Sequence, residues 1–203
     1  MNPSASWSSF DNAGEQSEFG IIPAGSLVKV GLRILPGGCD DAALGLSCGW
    51  ATQAKSGAVY LDIECVVLEG AYARRRLWIK IGLHSPNGPA WAQMGRATLR
   101  AILNSAKGFH PKDNSPPAVK ARCIQSFGDL NGMTCVIRVG TKKDLQGNDR
   151  NTLGLVIEPN HGDYARIMGI IATPMNSAAS PTPASQFASS IPVGGLPDSD
   201  IPF

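Results

Sequence analysis

The sequence predicts a mostly β fold: a five-stranded antiparallel barrel, one helix between the third and fourth strands, and a disordered C-terminal tail. Three observations carry this. Several segments of eight to ten residues alternate strictly between apolar and polar, the signature of half-buried antiparallel strands. A single long segment, residues 89–106, shows helical spacing instead. Beyond Thr173 the composition changes to Ser, Ala, Pro and Gly, with no charge before Asp198.

The elements follow in order. Residues 1–20 are a polar arm that holds Trp7, Phe10 and Phe19. The folded domain is expected over residues 21–170 and opens on the turn Pro23-Ala-Gly25. The first strand is Leu27-Val-Lys-Val-Gly-Leu-Arg-Ile34, with Val28, Val30, Leu32 and Ile34 inward and Lys29 and Arg33 outward. Residues 37–57 are rich in Gly, Ala and Ser and read as a long loop carrying Trp50 and Lys55. The second strand, residues 59–68, turns Val59, Leu61, Ile63, Cys65 and Val67 one way and Tyr60, Asp62 and Glu64 the other.

After the turn Glu69-Gly-Ala-Tyr-Ala73, the third strand spans residues 74–83, starting with Arg74. Leu77, Ile79, Ile81 and Leu83 form its apolar face; Arg76, Trp78 and Lys80 lie opposite. Asn87 is the expected N-cap of the helix, and Gly108 its stop. Trp91, Met94, Thr98, Leu99, Ile102, Leu103 and Ala106 share one helix side, so Trp91 is expected in the core. Residues 110–117 read as a loop and 119–127 as a short extended piece. The fourth strand covers residues 132–139, with Arg138 outward. Residues 141–150 form a basic hairpin loop with Lys142, Lys143 and Arg150, and residues 151–158 the fifth strand. This order matches the five-stranded OB-fold barrel. Residues 171–197 are a disordered linker and residues 198–203 a separate interaction tip.

Composition narrows the function. No run of about 18 apolar residues is present, so no membrane span is expected. Met1-Asn-Pro-Ser-Ala-Ser lacks the charge and apolar stretch of a signal peptide. The five cysteines at 39, 48, 65, 123 and 135 form no Cys-x-x-Cys pair and read as reduced thiols in a cytoplasmic protein, with no zinc or other cofactor. All 18 Lys and Arg fall between Lys29 and Arg166 with 11 acids among them, a net +7. That moderate excess fits a polyanion partner.

The outward residues give the partner more chemistry. Arg and Lys meet phosphates without regard to sequence, and exposed rings stack on bases. The expected track for a flexible polyanion with exposed bases uses Lys29, Arg33, Tyr60, Arg74, Arg76, Trp78, Lys80 and Arg138 on the strands. Trp50 and Lys55 would close over it from the long loop, and Lys142, Lys143 and Arg150 from the hairpin. Asp62 and Glu64 oppose this, because they share the face of Tyr60; they are expected to lie beyond the track or to pair with Arg74–Arg76. Catalysis is not expected. Asp62 and Glu64 as a nuclease magnesium site lack a third matched carboxylate, and His84, His110 and His161 stand apart from any nucleophile. A protein-interaction adaptor without DNA binding is the alternative reading.

The C-terminal tip, Asp198-Ser-Asp-Ile-Pro-Phe203, joins two acids to an apolar plug. It resembles the acidic tip of bacterial single-stranded DNA-binding proteins, which ends in a few Asp followed by Ile-Pro-Phe; Ser199 replaces one Asp. The region from about residue 21 to 158 resembles phage-encoded single-stranded DNA-binding proteins. The shared features are Pro23-Ala-Gly25, Leu68-Glu-Gly-Ala-Tyr-Ala-Arg-Arg75, and Pro86-Asn87 before a helix containing Gly95-Arg96. The resemblance implies an OB-fold protein that coats and protects single-stranded DNA in a bacterial host cell. It also implies recruitment of replication, recombination or repair proteins through Asp198, Asp200, Ile201, Pro202 and Phe203. The arm with Trp7 and Phe19 could serve homo-oligomer formation.

Overall fold

Alternation becomes a sheet wherever one strand face can be dried. The computed structural model describes Phe10, Asp11, residues 20–144 and residues 146–170. Nearly all of the arm, the linker and the interaction tip lie outside the described residues. Among the described residues seven strands form: β1 (Leu27–Leu35), β2 (Cys39–Asp41), β3 (Leu46–Gln53), β4 (Val59–Val67), β5 (Arg76–His84), β6 (Thr134–Lys143) and β7 (Asp149–Ile157). Three helices accompany them among the described residues: α1 (Ala90–Lys107), α2 (Pro116–Ala121) and α3 (Tyr164–Met168).

The protein is thus mostly β, with one curled antiparallel sheet and few helices. β4 is its hub. It pairs with β5 along one edge and β1 along the other, and β1 hands the sheet on to β6 and β7. β3 joins β4 through Thr52 opposite Tyr60 and Gln53 opposite Val59, and β2 pairs with β3. The curl brings β7 close to β5, and both line a common cavity, although no ladder joins them.

The core lies inside the curl. Val30, Leu61, Ile63, Cys65, Leu77 and Ile137 are all essentially inaccessible, each on the inward set that alternation predicts. Each large apolar side chain dried in this way contributes roughly 1.5–3 kcal/mol. α1 closes the core with Ile102 and Leu103. Its buried polar residues are satisfied: Asn104 donates to Glu158 Oε1 (2.7 Å) and accepts from Arg122 Nε (2.7 Å), and Ser105 Oγ accepts from Val136 N (3.1 Å). The Tyr164 hydroxyl donates to the Ser105 carbonyl, which ties α3 to α1.

Several expectations need correction. Residues 37–57 are not a plain loop: β2, a 3-10 turn (Ala42–Leu44) and β3 occupy them. Residues 119–127 are not extended, because α2 begins at Pro116 behind Ser115 and a further 3-10 turn follows at Phe127–Leu130. Asn87 does not cap α1; Pro89 holds the N-cap position, without a side-chain bond. The hairpin strands are longer than expected: β6 runs on to Lys143 and β7 starts at Asp149. Arg74 belongs to the turn before β5, in left-handed backbone (φ 67°).

Candidate nucleic-acid interface

The outer face of β4 and β5 is read from its register. Arg33, Glu64 and Trp78 are cross-strand neighbours, and Leu35, Asp62 and Lys80 form the next row. Tyr60 stands opposite Gly82, and Val66 opposite Arg76. Trp78 is 54% exposed although it is a large ring flanked by strand neighbours. Such exposure offers an aromatic face for stacking.

Glu64 resolves half of the acid conflict. Its carboxylate is buried, with Arg76 Nη1 2.9 Å from Oε1 and Arg33 Nη1 3.6 Å from Oε2. Both arginine side chains remain more than half exposed. The carboxylate is therefore a buried anchor beneath two cations, and it leaves one net positive charge on that patch. Asp62 is different: it lines the cleft itself, not a surface beyond it.

The β6–β7 hairpin supplies the facing wall. Residues from β4, β5 and the hairpin line one cleft of about 420 Å³, among them Arg76, Trp78, Lys80, Lys142 and Arg150. Asp62 and Asp149 also line it, so four cations face two carboxylates. Inside the turn, Asp144 Oδ2 accepts from Arg150 Nε (3.0 Å), and Oδ1 accepts from the backbone of Gln146 and Asn148. Partial burial pushes the Asp144 carboxyl up, but these backbone bonds and the Arg150 guanidinium outweigh it and hold its pKa below the usual value. Lys143 Nζ pairs with Asp149 Oδ1 at 2.9 Å, so that lysine neutralises a carboxylate of the cleft wall.

The cleft continues past Lys80. Lys80 Nζ donates to the Tyr60 hydroxyl (3.1 Å) and lies 4.4 Å from the centre of its ring. Tyr60 in turn lies 6.3 Å, centroid to centroid, from Trp91. Trp91 is not a core residue. Its ring lies against Gly82 on the outer face of β5, where a Cβ on Gly82 would stand 2.3 Å from the ring. The missing side chain makes the slot.

Of the expected track, Arg76, Trp78, Lys80, Lys142 and Arg150 come together in the cleft, with Arg33 and Tyr60 beside it by register. Trp50 does not close over the strand: its half-buried ring packs against the core and under Gly128. Lys55 sits exposed in the β3–β4 turn. Lys29 lies 3.8 Å from Glu69 and beside Gly169, next to α3. Arg138 is half-buried between Leu27 and Leu155 by register. Arg74 stays in its turn, exposed. The tip residues Asp198, Asp200, Ile201, Pro202 and Phe203 lie outside the described residues.

Sequence reasoning missed Ile21 and Asn151. Ile21 is exposed on the cleft, while its neighbour Ile22 is buried. Asn151 fixes that segment by accepting from Ile22 N (2.8 Å) and donating to Ile22 O (2.7 Å). The signal was an apolar pair directly before Pro23.

Among the described residues, no group of three or more His, Cys, Asp or Glu could hold a metal ion. No helix among them is long and apolar enough to cross a membrane. No protein-family model matches the chain, and no curated protein matches it.

Proposed function

We propose that this chain binds single-stranded DNA without strong sequence preference through the cleft between β4–β5 and the β6–β7 hairpin. The observation that carries the reading is the exposed ring of Trp78 beside Arg76 and Lys80, faced by Lys142 and Arg150. A duplex hides its base faces, so a stacking ring between cations favours an unpaired strand. The sheet connectivity supports an OB-type barrel: β1 pairs with β4 and β6, β4 with β5, β6 with β7, and α1 falls between β5 and β6. In this reading β2 and β3 are an insertion between the first two barrel strands.

The sequence resemblance supports a phage-type coating protein that works on DNA in a bacterial cytoplasm. It would recruit replication, recombination or repair proteins through residues 198–203. Binding and protection need no chemistry from the chain, and none is assigned to it.

The test is a tryptophan-fluorescence titration with oligo-dT and with a duplex of equal length, at several salt concentrations. Quenching by oligo-dT, with log affinity falling linearly in log salt by about 0.7 per phosphate contact, is the expected result. Tight binding to neither would leave the adaptor reading in its place.

A further inference from the structure

The seam between β5, β7 and the first half of α1 holds a second cavity, of about 410 Å³. That size lies within the roughly 300–1,000 Å³ of small-molecule sites. Lys80 and Lys142 line both this cavity and the cleft, so the two are adjacent along the surface. Unlike the cleft, the second cavity has no carboxylate in its lining.

Its shape follows from glycines. Gly95 of α1 rests on β5 so closely that a Cβ there would lie 1.8 Å from the Gly82 carbonyl oxygen. This contact fixes α1 at Gly95 and leaves Met94 over the seam, 67% exposed. The amphipathic pattern of the helix assigns Met94 to the buried side, and its exposure departs from that pattern. Thioether and indole together, at Met94 and Trp91, suit a flat aromatic ligand. The facing edges of β5 and β7 share no ladder.

We propose that this seam is a second nucleotide subsite, in which one base of the single strand lies against Met94 and Trp91 while its flanking phosphates meet Lys80 and Lys142. The subsite rests on the single-stranded DNA reading and extends it: the strand leaves the Trp78 cleft past Lys80 and runs along α1. The bound chain is therefore longer than the cleft alone accommodates.

The test is a length series of oligo-dT, from about 3 to about 12 nucleotides, against the full chain and three variants. Met94→Glu puts a carboxylate at the subsite on an exposed helix position, where Glu is a good helix former. Met94→Lys puts a cation at the same place. Gln93→Glu adds the same charge at an exposed neighbour outside the cavity lining. Met94→Glu should weaken long oligomers by about fivefold to 150-fold, the range for one stacked base, and the shortest binding oligomer by less than about twofold. Met94→Lys should retain the long-oligomer advantage, and Gln93→Glu should leave the length dependence unchanged. Equal loss at every length, no loss at any length, or the same loss in Gln93→Glu overturns the subsite. Failure of the unaltered chain to bind any oligo-dT overturns the DNA reading itself, and the subsite with it.

Discussion

Replacing Trp78 by alanine separates stacking from charge in the proposed cleft. The ring is 54% exposed. A tryptophan buries roughly 150–250 Å² when fully enclosed, so this one dries on the order of 100 Å², worth at most about 2.5 kcal/mol. Against a typical domain stability of about 5–15 kcal/mol, Trp78→Ala stays folded and melts at most about 10 °C lower. The binding effect is separate. A stacked base is worth about 1–3 kcal/mol, so affinity for oligo-dT should fall about fivefold to 150-fold. The ring carries no charge, and the slope of log affinity against log salt should therefore stay the same while the line shifts down. Anisotropy of a labelled oligo-dT at several salt concentrations, beside a thermal melt, reads both quantities. Trp78→Phe keeps a smaller ring and should recover part of the loss. Unchanged affinity in Trp78→Ala, with the fold intact, would refute the reasoning, because the cleft would then hold phosphates alone.

Three further outcomes follow from the carboxylate and the thiols. Glu64→Gln removes the anion beneath Arg33 and Arg76 while keeping its shape. Oligo-dT affinity should rise, the salt slope should steepen by about 0.7–1.4, and stability should fall by about 1–3 kcal/mol; a flatter slope would count against the role given to these arginines. Among the thiols, Cys48 and Cys123 are exposed and should react first with a disulfide reagent, Cys39 more slowly, and Cys65 and Cys135 only on unfolding. Burial, with the Glu64 charge beside it, pushes Cys65 from 9.0 to about 12, and burial drives Cys135 up as well. Each neutral thiol thus stabilises the fold fully below the unfolded value. That contribution is lost as pH rises from about 9 towards 12, and melting temperatures over this window should show a fall that is shallower in a Cys65→Ala/Cys135→Ala variant.

Most strands of the curled sheet were legible because their neighbours left them no choice. In β1, β4 and β5 every second residue is apolar over about eight positions, and in β6 Cys135, Ile137 and Val139 continue the pattern; a one-residue slip would turn each set to water. β3 offers no such pattern. Of its eight residues only Leu46 and Ala51 are buried, and Cys48 and Gly49 both take left-handed backbone (φ 66° and 65°), which interrupts the alternation. α2 carried a start signal in Ser115-Pro-Pro117, but its six residues are too few for a helical period to show. Trp50 and Trp91 were exchanged between surface and core for the same reason: each fills a space made by a distant glycine, Gly128 for one and Gly82 for the other. An absent side chain leaves no mark near the ring that uses it.

The site shows where alternation stops being informative. It separates inward from outward, but it does not say which outward residues share a surface. Lys29 and Arg138 are as outward by pattern as Arg76 and Lys80, yet α3 covers their end of the sheet, with Leu27, Val136 and Ile157 packed beneath Tyr164, Ile167 and Met168. The cleft instead joins Arg76, Trp78 and Lys80 to Lys142, Asp149 and Arg150. These segments meet only because β1 carries the sheet from β4 to β6 and the curl returns β7 to β5. With four cations against two carboxylates, charge alone gives the cleft a modest hold on a polyanion. The rings must supply the rest, which is why Trp78, rather than any single lysine, is the residue on which the proposed function turns.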